Sequence, residues 1–160
     1  MRTCDEAWAA LDSGFKEFMD CLGQLTEEEL TSAAATGKWT VKDVVAHLWS
    51  WLDEANQTIR GWQGPRPWQA GVAYDDAWNE AQVASRANLP LITVVDGVTG
   101  AHRRMMHLLD LADEAALEHA ARAPWGTAMP LVDFFYDMAQ HYTDHIPDLR
   151  AYQEHCLECD

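Results

Sequence analysis

His141 and His145 stand four residues apart in LVDFFYDMAQHYTDHIPDLRAY, a stretch whose apolar residues recur at helical spacing. On a helix that separation is about 40° of rotation and roughly 6 Å of rise, so both imidazoles leave from one face. The same face carries Leu131, Phe134, Phe135, Met138, Tyr142, Ile146, Leu149 and Tyr152, which makes it the buried one. Two imidazoles in a core need partners, because an unpaired buried polar group is costly. A metal ion satisfies both at once. Ordinary hydrogen bonds satisfy them as well, and the spacing alone does not choose.

His47 is the third candidate. It lies about two turns into another helical pattern, on the flank of a stripe made by Val41, Val44, Val45, Leu48, Leu52, Ala55 and Ile59, beside Trp51 and near Glu54. If the two helices bring these histidines to the same depth, three neutral imidazoles present one triangular face to Zn²⁺, Ni²⁺ or Fe²⁺. The remaining coordination positions stay open to water or substrate. His102 falls on a different apolar face and reads as a core or pocket histidine, whereas His107, His119 and His155 read as surface residues.

Asp43, Asp137 and Asp148 each lie about one turn from one of the three histidines. They are candidates to accept a proton from the far nitrogen of an imidazole, against the plainer reading as solvated acids. Cys156-Leu-Glu-Cys159, preceded by His155, has metal-like or redox-like spacing. It sits at the end of the chain, where order is poor, and incidental exposed thiols are the simpler reading.

The elements that must position these residues are helical. A first helix is expected from Cys4 to Gln24, with Trp8, Leu11, Phe15, Met19 and Leu22 as its buried stripe. TEEEL is an exposed link in which Thr26 caps a short turn, and Gly37 marks a break. Thr40-Val-Lys-Asp43 reads as a capping box that opens a second helix ending near Gly61. The third helical region covers about Asp75 to Leu111 and is split or kinked at Pro90. A connection with its own short helical piece follows. The fourth helix starts near Pro130 and runs to about Cys156. LPLITVV is the one β-leaning run, and it leads directly into a helical pattern.

Four long amphipathic helices make an all-α four-helix bundle the expected architecture. GWQGPRPWQAG, from Gly61 to Gly71, is the clearest linker. At that length it spans up to ~36 Å, enough to return the chain to the same end of the bundle before the third helix begins. Trp39, Trp49, Trp51, Trp62, Trp68, Trp78 and Trp125 load the helix ends and linkers with aromatic rings. Packing accounts for most of them; Trp51 and Trp62 are the best placed to wall a pocket above a metal.

The chain has 160 residues, 48% of them hydrophobic and 23% charged, as in an ordinary globular protein, and one domain over residues 1–160 is expected. Its formal charge of −15, from 11 Lys and Arg against 26 Asp and Glu, argues against nucleic acid as a partner. No apolar stretch is long enough to span a bilayer, and residues 1–20 lack a signal-peptide layout. With four cysteines and no export signal, the expectation is a cytoplasmic protein with free thiols.

KWTVKDVVAHLWSW around His47 and HYTDHIPDL around His141 and His145 together resemble the DinB/YfiT-like superfamily. Its pattern is W-[ST]-x-K-[DE], a histidine four residues later, and H-x-x-x-H near the C-terminus. Here these are Trp39-Thr40-Val41-Lys42-Asp43, His47, and His141 with His145. The segment APWGTAMPLVDFFYDMAQHYTDHIPDLRAY further resembles the ClbS/DfsB subgroup. The resemblance implies an up-down-down-up bundle with a long crossover between its second and third helices. It also implies a divalent metal held by His47, His141 and His145, and a homodimer. Thiol-dependent transfer to a small electrophile is the implied activity, with mycothiol or bacillithiol as the kind of thiol. Apart from the resemblance, Glu54 or His102 is the candidate general base. A metal-independent small-molecule binding or self-resistance protein of the ClbS type is the alternative.

Overall fold

Threonine caps start three of the helices. Thr3 with Glu6, Thr26 with Glu29, and Thr40 with Asp43 each form a reciprocal capping box, so two otherwise orphaned backbone N–H groups are satisfied at each start. The computed structural model describes residues 2–62 and 72–159, Cys159 by its backbone alone. In chain order the elements are α1 (Cys4–Gly23), α2 (Glu27–Ser32), β1 (Ala34–Thr36), β2 (Trp39–Thr40) and α3 (Val41–Arg60). Then follow α4 (Asp76–Arg86), α5 (Leu91–Leu111), α6 (Glu114–Glu118), β3 (Ala120–Arg122), β4 (Ala128–Pro130) and α7 (Leu131–Cys159).

Long-range pairs give the helix directions. Arg2 meets Asp133, Gly14 lies against Ala139 and Tyr142, and Glu17 pairs with Arg150, so α1 and α7 run parallel. The Lys42 ammonium donates to the Ala87 carbonyl, Asp53 pairs with Arg104, and Asn56 donates to the Ala101 carbonyl, so α3 and α5 also run parallel. His47 meets His141 and His145 while Trp62 packs on Phe134, which sets α3 antiparallel to α7. Phe15 stacks on His102, joining α1 to α5. The bundle of α1, α3, α5 and α7 is therefore up-down-down-up, as expected. The Gly61–Gly71 linker expected to make the crossover lies, from residue 63 on, outside the described residues; α4 is the described part of the connection between α3 and α5.

Several expectations need correction. Trp8 is 41% exposed, and the buried stripe of α1 is Ala7, Leu11, Gly14, Phe18, Cys21 and Leu22. Small residues sit inside because α7 comes close: a Cβ on Gly14 would lie 3.3 Å from the Ala139 carbonyl. Thr26 caps a helix, α2, rather than a turn. The split expected at Pro90 is present: the residue stands at the N-cap of α5, where its missing N–H costs nothing. LPLITVV is helical from Leu91 onward.

Two short antiparallel ribbons, β1–β2 and β3–β4, were not legible as strands. Gly37 turns the first with φ 55° and Gly126 the second with φ 91°, conformations that a Cβ disfavours. Among the described residues no helix is long and apolar enough to cross a membrane.

Candidate metal centre

The Trp39-Thr-Val-Lys-Asp43 run builds the start of α3 and, with it, the position of His47. Thr40 and Asp43 close the capping box. Lys42 reaches 2.8 Å to the Ala87 carbonyl and ties the helix start to the segment before α5. Trp39, in β2, lays its indole against the His47 ring, centroids 5.0 Å apart. This contact was not legible from spacing, which assigns a tryptophan before a helix to general packing.

His47, on α3, is buried. His141 and His145, one turn apart on α7, are half-buried. One ligand atom from each of the three lies within 4.8 Å of the others. The Nε2 atoms of His47 and His141 are 3.0 Å apart, and the three ring centroids are separated by 5.0 to 5.2 Å.

Burial, backed by the two neighbouring imidazoles, pulls the His47 pKa down to about 3. Burial and His145 pull His141 down to about 3. His145 is lowered by burial as well, with Asp144 and Asp148 opposing. All three rings are thus neutral at physiological pH, the state in which imidazole ligates a metal.

The closest pair, the His47 and His141 Nε2 atoms at 3.0 Å, has the separation of two ligands on one divalent ion. Two nitrogens each ~2.1 Å from a metal and at right angles to one another lie ~3.0 Å apart, and at the tetrahedral angle ~3.4 Å. Neutral imidazole suits Zn²⁺, Ni²⁺ and Fe²⁺ alike.

Two of the three acids expected to hold the far nitrogens are otherwise engaged. Asp43 accepts from the Thr40 backbone and hydroxyl, and Asp148 from the Thr36 hydroxyl at 2.8 Å. Asp137 is raised by burial, its charged neighbours being Arg2 and Asp133. The buried Nδ1 of His47 has no hydrogen-bond partner among the described residues.

Glu54 and His102 lie outside the group of three. The Glu54 carboxylate accepts from the Tyr74 hydroxyl at 2.8 Å. His102 is buried, its ring stacked on Phe15 at 3.9 Å and its Nδ1 2.9 Å from the Tyr142 hydroxyl. Burial lowers the His102 pKa to about 4.

Trp51 does stand beside the triad, its ring 5.9 Å from that of His141. Trp62 does not wall it: this side chain is buried on Phe134 and donates to the His119 carbonyl. Trp68 and the Cys159 side chain lie outside the described residues. Cys156 is half-buried and free.

The family model described as the DinB superfamily matches residues 10–147. Among solved structures, mycothiol-dependent maleylpyruvate isomerase superposes with a TM-score of 0.76 at 12% identity, over 92% of this chain. This chain spans only 61% of that one. An uncharacterised protein from Escherichia coli gives 0.79 at 17% identity, covering 97% of this chain and 95% of its own. A protein from Streptococcus pneumoniae gives 0.78 at 11% identity, covering 96% and 92%. These likenesses establish the fold. No curated protein sequence matches this one significantly.

Proposed function

This chain belongs to the DinB superfamily, and on that premise we propose that it is a metal-dependent enzyme whose His47, His141 and His145 hold one divalent ion. The observation that carries the reading is the convergence of three uncharged imidazoles within 4.8 Å. A divalent ion held there supplies Lewis acidity, bringing the pKa of a coordinated water or thiol toward neutrality. The protein's own residues do the rest. Burial keeps the ligands unprotonated, Trp39 steadies His47, and Trp51 screens His141 from water.

The reaction we assign is transfer of a low-molecular-weight thiol to a small electrophile, a detoxification chemistry. The thiol proton passes to a base as the sulfur forms a bond to an electrophilic carbon; the electron pair released at that carbon, from an opening π bond or with a departing leaving group, takes up a proton in turn. Of the two candidate bases we retain Glu54, because His102 is committed to Phe15 and Tyr142. The shared fold with a mycothiol-dependent isomerase supports the choice of thiol chemistry. A single-domain homodimer in the cytoplasm completes the proposal, with light scattering as the check on its oligomeric state.

Metal analysis of protein purified without an affinity tag tests the reading. About one equivalent of Zn²⁺, Ni²⁺ or Fe²⁺ is expected; less than about a tenth after incubation with each would sink it. Thiol consumption against a panel of electrophiles then tests the reaction.

Two observations favour a second reading, a metal-independent small-molecule binding or self-resistance protein. At 3.0 Å the His47 and His141 Nε2 atoms can satisfy each other by a hydrogen bond. Among the described residues the His47 Nδ1 also lacks the acceptor that metal-bound histidines ordinarily have. The same metal analysis decides between the two.

A further inference from the structure

Four aromatic rings form one cluster whose hub stands beside His141: Trp51 of α3, with Tyr74 just before α4, Trp78 in α4, and Trp125 in the turn between β3 and β4 packed around it. Trp51 is the hub, with centroids 4.9 Å from Trp78, 5.6 Å from Tyr74, 6.2 Å from Trp125 and 5.9 Å from His141. Edge hydrogen bonds set two of the rings. The Trp51 indole donates to Asn79 at 2.9 Å, and the Tyr74 hydroxyl donates to Glu54. Trp125 is 41% exposed, and the other three are half-buried. Trp125 stacks on the buried Phe134 at 5.6 Å, so the set of rings runs from the core beside the triad out to water.

Among the described residues, acids stand near both the triad and the wall, and the cations near the wall are bonded to other groups. Asp144 and Asp148 act on His145, and the Glu54 carboxylate abuts Tyr74. No lysine or arginine stands among the groups that shift the three histidines. The nearby cations are turned elsewhere: Lys38 to Glu80, Lys42 to the Ala87 carbonyl, Arg86 and Arg104 to Asp53, and Arg122 to the Gly126 carbonyl. A carboxylate or phosphate arriving here meets like charge. A cation meets the negative faces of the rings and the Glu54 carboxylate together.

We propose that the Trp51, Tyr74, Trp78 and Trp125 wall selects an organic cation, a small molecule presenting a quaternary or ring nitrogen to the indole faces while its reactive carbon faces the triad. The assignment of that carbon rests on reading the triad as the reaction centre; the cation preference rests on the wall. No anchoring of the substrate through a carboxylate is involved.

Calorimetric titration of the full chain with trimethylphenylammonium, its neutral isostere tert-butylbenzene, and benzoate tests the proposal, with and without loaded Zn²⁺. The cation is expected to bind about 10-fold more tightly than the isostere, and benzoate more weakly than either. Trp125→Leu should cut the cation's affinity about 5-fold with the helical circular dichroism unchanged, and Trp78→Leu provides a second variant should that one fold poorly. Equal affinity for cation and isostere, tighter binding of benzoate, or a preference untouched by both variants overturns the proposal. Protein that takes up no Zn²⁺ yet keeps the preference supports the wall and sinks the metal reading. Protein that loads Zn²⁺ with no preference does the reverse.

Discussion

The Nε2 atoms of His47 and His141 stand 3.0 Å apart although 94 residues separate them in the chain. The antiparallel course of α3 against α7 creates that contact. It places a buried histidine from one helix against an i, i+4 pair on the other, with His145 completing the group.

His145→Ala is expected to remove most of the bound metal while leaving the helical signal in place. Its ring is half-buried and makes no hydrogen bond among the described residues, so truncation costs little packing. Metal content measured by mass spectrometry should fall from about one equivalent to under about a tenth. His102→Gln should leave it unchanged. Retained metal in His145→Ala would place the ion elsewhere.

Acid should destabilise the protein through its buried histidines. His102 titrates at about 4 in the fold, chiefly because it is buried; in the unfolded chain it titrates near ~6.5. Between those values the unfolded chain binds more protons, so stability falls as pH falls through that window and is unaffected above it. At pH 5 His102 alone contributes a loss of about 2 kcal/mol, and His47 and His141 act in the same direction. Urea midpoints at pH 7 and pH 5, with chelator present, should show a smaller drop in His102→Gln. An equal drop would refute the assignment.

Gly97→Ala should destabilise despite alanine's better helix propensity. A Cβ at Gly97 would lie 2.5 Å from the Trp49 indole. That ring cannot retreat freely, because the Arg86 guanidinium covers it at 4.6 Å. Overpacking of this kind costs about 1–3 kcal/mol, against roughly 1 kcal/mol gained from propensity. A lowered urea midpoint is the expected result; a raised one would show that Trp49 yields.

Thr40→Ala should cost about 1 kcal/mol by opening the capping box of α3, and metal affinity should weaken with it, since His47 lies two turns further on. Thr31→Ala is the control. Thr31 is exposed, its hydroxyl bonds only the Glu27 carbonyl one turn back, and the change should be within about 0.5 kcal/mol. Equal effects would mean that the box does not position His47.

Local chemistry was readable where its energy is local. The Thr40–Asp43 box, the split at Pro90 and the shared face of His141 and His145 each depend on residues within one or two turns, and the structure bears them out. Trp8 escaped because periodicity resolves a face only coarsely. Hydropathy favours a large indole inside, whereas the buried stripe takes the small Ala7 instead and Gly14 where α7 comes close. Tyr74 and Trp78 escaped because nothing near them in the chain says that they meet Trp51.

By itself the amino-acid sequence determined the helices, their caps and the i, i+4 histidine pair, because backbone hydrogen bonding and side-chain period act over a few residues. Only the tertiary structure decided that His47 closes the triad, that Trp39 rather than an acid backs it, and that three further aromatic rings gather on Trp51 beside His141. Those outcomes depend on which helix faces run against each other. That choice sums burial over contacts far apart in the chain, and no single segment encodes it.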